Sequence, residues 1–214
     1  THDLRQPFNQ ISSFIQILEL TPDVDDSLKD LITEMKESTN HTLSAMNNLL
    51  VWSKSQFLNV KTYPEKINIP ELIDSVISEM TSNLSEKKLN LNVVLEPNET
   101  LFADRNHVEI ILRNLLSNAA KFSPIGGTLS INVERKDNSV EIAVSDEGKG
   151  MTNNEIERLF DAESHFSTPG TLNEKGSGLG MLIVSEFVKE NNGTINVASQ
   201  KNIGSTFKVV LPAA

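Results

Sequence analysis

A chain of 214 residues with an ordinary 38% hydrophobic content is long enough for one large or two small globular domains, and its composition is not that of a disordered protein. Its formal net charge of −10 argues against a nucleic-acid partner, whose backbone demands clustered Lys and Arg. The absence of cysteine excludes disulfides, thiolate metal sites and thiol nucleophiles within the chain and fits a cytoplasmic setting. A polyanion bound to so acidic a chain has to be held by local devices, such as backbone N–H groups or a metal ion. Runs such as Ile110-Ile111-Leu112 and Met181-Leu182-Ile183-Val184 fall far short of the ~20 apolar residues of a membrane span. No signal peptide is visible, and the abrupt start at Thr1 reads as that of an excised fragment, with sensing and any membrane attachment expected upstream.

Residues 1–60 contain no glycine and carry apolar residues at helical spacing. Leu4, Phe8, Ile11, Ile15 and Leu18 step by alternating fours and threes, the seam of a coiled-coil-like helix. Thr21 to Ser27 breaks that helix at Pro22 and offers Asp or Ser as the next cap. Leu28, Leu31, Met35, Thr42, Met46 and Leu49 resume the seam, which runs on through Trp52. The expected unit is a helical hairpin. Two such helices cannot enclose their apolar stripe alone, so pairing with a second copy into a four-helix bundle is the natural solution.

Val60 to Lys66, with Pro64, reads as a linker, and residues 61–214 as a second unit. Ile67 to Ile69 is a short expected strand, and Pro70 suits the first turn of a helix to about Glu86. Leu89–Leu95 and Thr100–Ala103 read as strands, and Asp104 caps a long helix to about Phe122. Thr128–Glu134 and Val140–Ser145 are β-rich around a turn at Lys136-Asp137-Asn138. A Gly-rich, poorly periodic stretch over about 146–177 precedes a helix over roughly 179–191, ended by Asn192-Gly193. Strands over about 194–199 and 205–211 close the pattern, which is that of a two-layer α/β sandwich.

Chemistry concentrates in three places. Asp146-Glu147-Gly148-Lys149-Gly150 puts a carboxylate at a strand end, where it can accept a hydrogen bond from an exocyclic amine. Gly176-Ser177-Gly178-Leu179-Gly180 opens into a helix, whose free N–H groups and dipole suit a phosphate. Asn114 and Asn118 stand four residues apart, hence on one helical face, with Lys121 on an adjoining strip. An amide oxygen there suits Mg²⁺ shared with phosphate oxygens. Each glycine cluster alone also describes an ordinary tight turn; their order and separation set them apart.

Together these segments resemble the ATP-binding boxes of sensor histidine kinases. Asn114–Phe122 resembles the N box, Asp146–Gly150 the G1 box, Leu159-Phe160 with Phe166 the F box, and Gly176–Gly180 the G2 box; Gly204-Ser205-Thr206 also matches. The resemblance covers about residues 65–212 and implies the Bergerat ATP-binding fold, shared with type II topoisomerases and MutL repair proteins. It implies that Asp146 holds the adenine amino group and Asn118 the Mg²⁺. Asn114 and Lys121 would lie near the phosphates, and about Asp161 to Lys175 would form a mobile lid. Gly148, Gly150, Gly176, Gly178, Leu179, Gly180 and Thr206 are expected around the nucleotide. Phe160 is expected to pack at one end of the lid, and Lys175 either to reach towards the phosphates or to stand as a solvated charge.

Thr1-His2-Asp3-Leu4-Arg5-Gln6-Pro7-Phe8 resembles the family's H box. The implied phospho-acceptor is His2, with Asp3 orienting its imidazole so that Nε2 is free to attack. The resemblance therefore implies an ATP- and Mg²⁺-dependent protein-histidine kinase, homodimeric through the hairpin, that passes phosphate to an Asp of a response-regulator receiver domain. Gln6 departs from the Thr, Ser or Asn usual at that position, which is implicated in dephosphorylating the partner. Two other readings remain: a degenerate nucleotide-binding sensor that transfers nothing, disfavoured by intact Asn118, Asp146 and G2 glycines, and another Bergerat ATPase or Ser/Thr kinase, disfavoured by the H box. His41, His107 and His165 lack partner patterns and read as surface or structural residues.

Overall fold

The structure is a computed structural model that describes residues 11–15, 17, 18, 21, 25, 28, 29, 31–33, 35, 36, 38, 39, 42, 43, 46, 62–161, 167–172, 174 and 176–214. The described residues between 11 and 46 are helical apart from Thr21 and Asp25. Ile15 and Ile32 are buried there, whereas Ile11, Phe14, Leu18, Leu28, Leu31 and Met35 are exposed. Within one chain, Ile15 is the buried member of the expected seam among the described residues, and Ile32, outside the expected set, is buried as well. Leu4, Phe8, Leu49 and Trp52 lie outside the described residues.

The second unit runs β1 (Pro64–Asn68), α1 (Ile69–Glu86), β2 (Asn90–Val94), β3 (Thr100–Asp104), α2 (Arg105–Phe122), β4 (Thr128–Lys136), β5 (Ser139–Asp146), α3 (Asn153–Arg158), α4 (Gly180–Glu190), β6 (Thr194–Gln200) and β7 (Gly204–Pro212). β1 and β3 form a two-stranded antiparallel ribbon. The other strands form a five-stranded sheet in the order β2-β4-β5-β7-β6, parallel only between β2 and β4.

Alternation along the central strands explains the layering. Leu129, Ile131 and Val133 of β4, Val140, Ile142 and Val144 of β5, and Phe207, Val209 and Leu211 of β7 are buried on one face. They share a core with Ile111, Leu112, Leu115 and Leu116 of α2 and Ile183, Val184 and Phe187 of α4. Each such side chain contributes about 1.5–3 kcal/mol by leaving water. Most of the intervening positions are polar, Ala143 and Val210 excepted, and Glu141 and Lys208 pair at 3.6 Å on the other face of the sheet. The expected two-layer α/β sandwich is the observed one.

Two local expectations change. The linker is shorter than expected, because Pro64 to Lys66 is already strand paired with Phe102 to Asp104. Ile69 is helical rather than extended, since the Asn68 side chain accepts from Glu71 N at 3.2 Å and caps α1 with Pro70 in its first turn. The stretch after Asp146 also holds an unexpected short helix, α3. Thr152 Oγ1 accepts from Glu155 N at 3.3 Å while the Glu155 carboxylate accepts from Thr152 N at 2.8 Å, a complete capping box.

Candidate functional site

The Asp104 carboxylate launches α2 by accepting from Asn106 N at 3.0 Å and His107 N at 3.3 Å. His107 itself is structural: it stacks on Phe187 with ring centroids 4.0 Å apart, and burial holds its imidazole below the ordinary histidine range. The inward face of α2 is fixed by its buried leucines and isoleucine, so Asn114, Ser117, Asn118 and Lys121 are left on another face, where they line a cavity of about 200 Å³. Asn114 donates to the Ile110 carbonyl at 2.8 Å, and Asn118 to the Met181 sulfur at 3.3 Å. Each amide has thus placed its NH₂ group on protein and retains a carbonyl oxygen for a ligand.

The facing wall is the entry into α4. Gly176, Ser177, Gly178, Gly180 and Met181 line the cavity. Leu179, at the cap position of α4, makes no side-chain capping bond, and its own N–H donates to Ser177 Oγ at 3.3 Å. Gly178 has φ +74°, and a Cβ on Gly180 would lie 2.6 Å from Asn114 Oδ1. A Cβ on Gly176 would stand 2.6 Å from Lys121 Nζ. The glycines are what let this backbone approach the polar face of α2. The N–H groups at a helix start, beside two amides and an ammonium, suit an anion.

Asp146 ends β5 beside this cavity, with only 9% of its surface exposed. Burial pushes its carboxyl up to about 6, against the opposing effect of backbone N–H groups of Gly148 and Ser205. Its Oδ1 accepts from Gly148 N at 2.8 Å. Thr206 is held by a 2.9 Å hydroxyl contact with Ser145.

Two ammonium groups flank the Phe122 ring, Lys121 Nζ at 4.8 Å from its centroid and Lys149 Nζ at 4.6 Å. Lys149 also donates to Thr168 Oγ1 at 2.8 Å and to the Pro169 carbonyl at 2.7 Å. Burial lowers both lysines; Glu174 acts on both in the opposite sense. The global acidity of the chain is therefore reversed locally.

Of the residues expected from the sequence, the cavity brings together Asn114, Asn118, Lys121, Gly150, Gly176, Gly178 and Gly180. Asp146, Gly148, Leu179 and Thr206 adjoin it without being among its lining residues. Phe160, expected at one end of the lid, packs against the hydrophobic core and is not among the cavity-lining residues. His2, Asp3 and Lys175, like His41, His165 and Phe166, lie outside the described residues. Lys149, Met151, Ser167, Thr168, Met181 and Phe207 line the cavity without having been singled out from sequence. For Lys149 a signal existed, a cation inside the G1 run of an acidic protein. Among the described residues no cluster of three or more His, Cys, Asp or Glu could hold a metal ion. A cation here would have to share its shell with a ligand's oxygens, and the Asn118 carbonyl suits that arrangement. No helix among the described residues is long and apolar enough to cross a membrane.

Residues 103–214 match the model of the histidine kinase-, DNA gyrase B- and HSP90-like ATPases. Histidine protein kinase SaeS of Staphylococcus aureus (strain MRSA252) is 33% identical over 98% of this chain and 61% of its own length. Sporulation kinase C of Bacillus subtilis (strain 168) is 28% identical over 99% of this chain and 47% of its own length. Full-length ShkA, crystallised in complex with AMPPNP, matches with a TM-score of 0.76 at 26% identity over 100% of this chain and 44% of that one. The chain thus spans only about half the length of these relatives. With its fold, its cavity and this match over more than half its residues, the chain belongs to the family of histidine kinase-, DNA gyrase B- and HSP90-like ATPases, and its relatives named here are histidine kinases.

Proposed function

We propose that this chain is the kinase core of a sensor histidine kinase, which transfers the γ-phosphoryl group of ATP to its own His2 and then to an Asp of a response regulator. The observation that carries the reading is the cavity between α2 and α4. There the oxygens of Asn114 and Asn118, the Lys121 ammonium and the uncapped N-terminus of α4 face one another, with buried Asp146 alongside. That set fits a nucleoside triphosphate: hydrogen-bond acceptance for an exocyclic amine at one end, anion recognition at the other.

In this reading Asp146 accepts from the adenine amino group, and the α4 N–H groups with Lys121 hold phosphate oxygens. The Asn118 oxygen fits Mg²⁺, which when bound neutralises charge on the phosphates. Asp3 orients the His2 imidazole so that Nε2 forms the new N–P bond as the bond from the γ-phosphorus to the ADP oxygen breaks. Residues 1–60 form the phosphotransfer and dimerisation hairpin, and 61–214 the ATP-binding domain. The exposed Ile11, Phe14, Leu18, Leu28, Leu31 and Met35 support pairing with a second copy.

Incubation with γ-labelled ATP and Mg²⁺ tests the proposal. The expected label is lost in acid and kept in alkali, as a phosphoramidate is. An acid-stable label, or release of free phosphate with no labelled protein, would instead point to a serine/threonine kinase or a simple ATPase.

A further inference from the structure

Lys87 is a buried lysine outside the nucleotide cavity. It follows the last residue of α1 and is only 4% exposed. Its ammonium donates to the carbonyls of Ala120 at 2.9 Å and Lys121 at 2.7 Å, the last turn of α2. From the other side it donates to Thr171 Oγ1 at 2.7 Å and pairs with Glu174 Oε1 at 2.5 Å. Three ammonium protons are thus shared among more than three oxygens, and a cation at a helix C-terminus is favoured by the dipole as well.

The segment reached from Lys87 is itself fastened to α2. Thr171 N donates to the Lys121 carbonyl at 3.1 Å, and Thr171 Oγ1 to the Ser123 carbonyl at 2.7 Å. Gly170 N donates to the Glu174 carbonyl at 2.9 Å, and Leu172 N to Glu174 Oε2 at 2.7 Å. Gly170 is packed so closely that a Cβ would stand 2.7 Å from Lys121 Cγ. Just before this turn, Ser167 and Thr168 line the cavity, and just after it Gly176 does. Burial would raise the Glu174 carboxyl, but its bonds to Lys87 and to backbone N–H groups hold it below the usual range.

We propose that Lys87 is a positioning residue that latches Thr171 and Glu174 to the helix end bearing Lys121, so that the cavity wall formed by Ser167, Thr168 and Gly176 is ordered before nucleotide arrives. The latch removes part of the ordering cost from the binding step. This role rests on the nucleotide-binding reading above.

Two lid variants test it without emptying the buried site, since Lys87 keeps its α2 carbonyls in both. Glu174→Gln removes a negative charge beside the cavity; Thr171→Val removes none. Hydrogen exchange of peptides covering 167–176 is measured in nucleotide-free protein, and ADP affinity by calorimetry. Both variants should lose protection in that segment and bind ADP roughly three- to ten-fold more weakly, the effect of one charge-assisted bond discounted for partial exposure. Thr171→Ser should restore both readouts. Unchanged exchange in Glu174→Gln and Thr171→Val overturns the latch. Tighter ADP binding by Glu174→Gln with unchanged binding by Thr171→Val also overturns it, because that is simple relief of charge repulsion. If wild type binds no ADP, the nucleotide reading and the positioning role both fail, while the latch remains visible in exchange.

Discussion

Asn118 donates a side-chain N–H to the sulfur of Met181 at 3.3 Å, tying the C-terminal part of α2 to the first turn of α4 across the cavity. The bond fixes which end of the amide is left for a ligand. Thioether sulfur is a weak acceptor, so little stability rests on it. Asn118→Ala should therefore keep the fold within about 1 kcal/mol of wild type while slowing phosphoryl transfer about 10²-fold or more. Label incorporation rates alongside denaturant melts check this; an unchanged rate would remove Asn118 from the metal.

Asp146 gives a pH dependence of definite sign. Its carboxyl lies at about 6 in the fold against 3.8 unperturbed, so between these values the folded state binds more protons than the unfolded one. Its contribution to stability is present below 3.8 and lost as pH rises through about 6. Only the ionised form accepts from adenine without offering a donor. ATP affinity should then fall about ten-fold between pH 7 and pH 5 from this group. Asp146→Asn should bind roughly ten- to a hundred-fold more weakly at pH 7 and lack this pH dependence. Calorimetry on both proteins separates it from titration of the nucleotide, which is common to the two. Parallel pH profiles would remove Asp146 from the adenine.

Gly180→Ala separates binding from stability. A methyl group there would approach Asn114 Oδ1 at 2.6 Å, on a side chain already held by the Ile110 carbonyl. Alanine otherwise favours a helix over glycine by up to about 1 kcal/mol. The melting temperature should fall only slightly, the helix preference offsetting part of the displacement of Asn114, while nucleotide affinity drops about ten-fold. Undiminished affinity would show that the close approach of α4 to Asn114 is not needed for the ligand.

Legibility from sequence followed the range of the interactions. α2 was readable at its start because that start is a local device, the Asp104 cap. The hairpin turn was readable because Asp137, with φ +51°, is of a type that tolerates the left-handed region. α3 carries the signal Thr152-Asn153-Asn154-Glu155, but its six residues show no apolar period and sit in glycine-rich surroundings. β1 begins inside a polar, proline-containing stretch because its register comes from β3, distant in sequence. Ile32 rather than Leu28 or Leu31 is enclosed because heptad spacing marks an apolar stripe broader than one chain can cover. Lys87 was invisible for the same kind of reason: its partners Ala120, Lys121, Thr171 and Glu174 meet only in the fold.

Dimerisation is best tested on the exposed part of the hairpin. Ile15 is enclosed within one chain, so a charge there would damage the protomer itself. Leu31 and Phe14 are 54% and 64% exposed, so Leu31→Glu and Phe14→Glu should leave the protomer folded while shifting the protein towards monomer. Sedimentation equilibrium decides; variants as dimeric as wild type would place the interface elsewhere.

The central claim concerns where the phosphate goes. Mass spectrometry under alkaline handling, after incubation with Mg²⁺ and ATP, locates it directly. Phosphate should appear on His2, be absent from His2→Gln although that variant binds ATP normally, and form ~10²–10⁴-fold more slowly on His2 in Asp3→Asn, the range of a positioned acid–base group. Phosphate on His41, His107 or a serine, with His2 empty, would contradict the account.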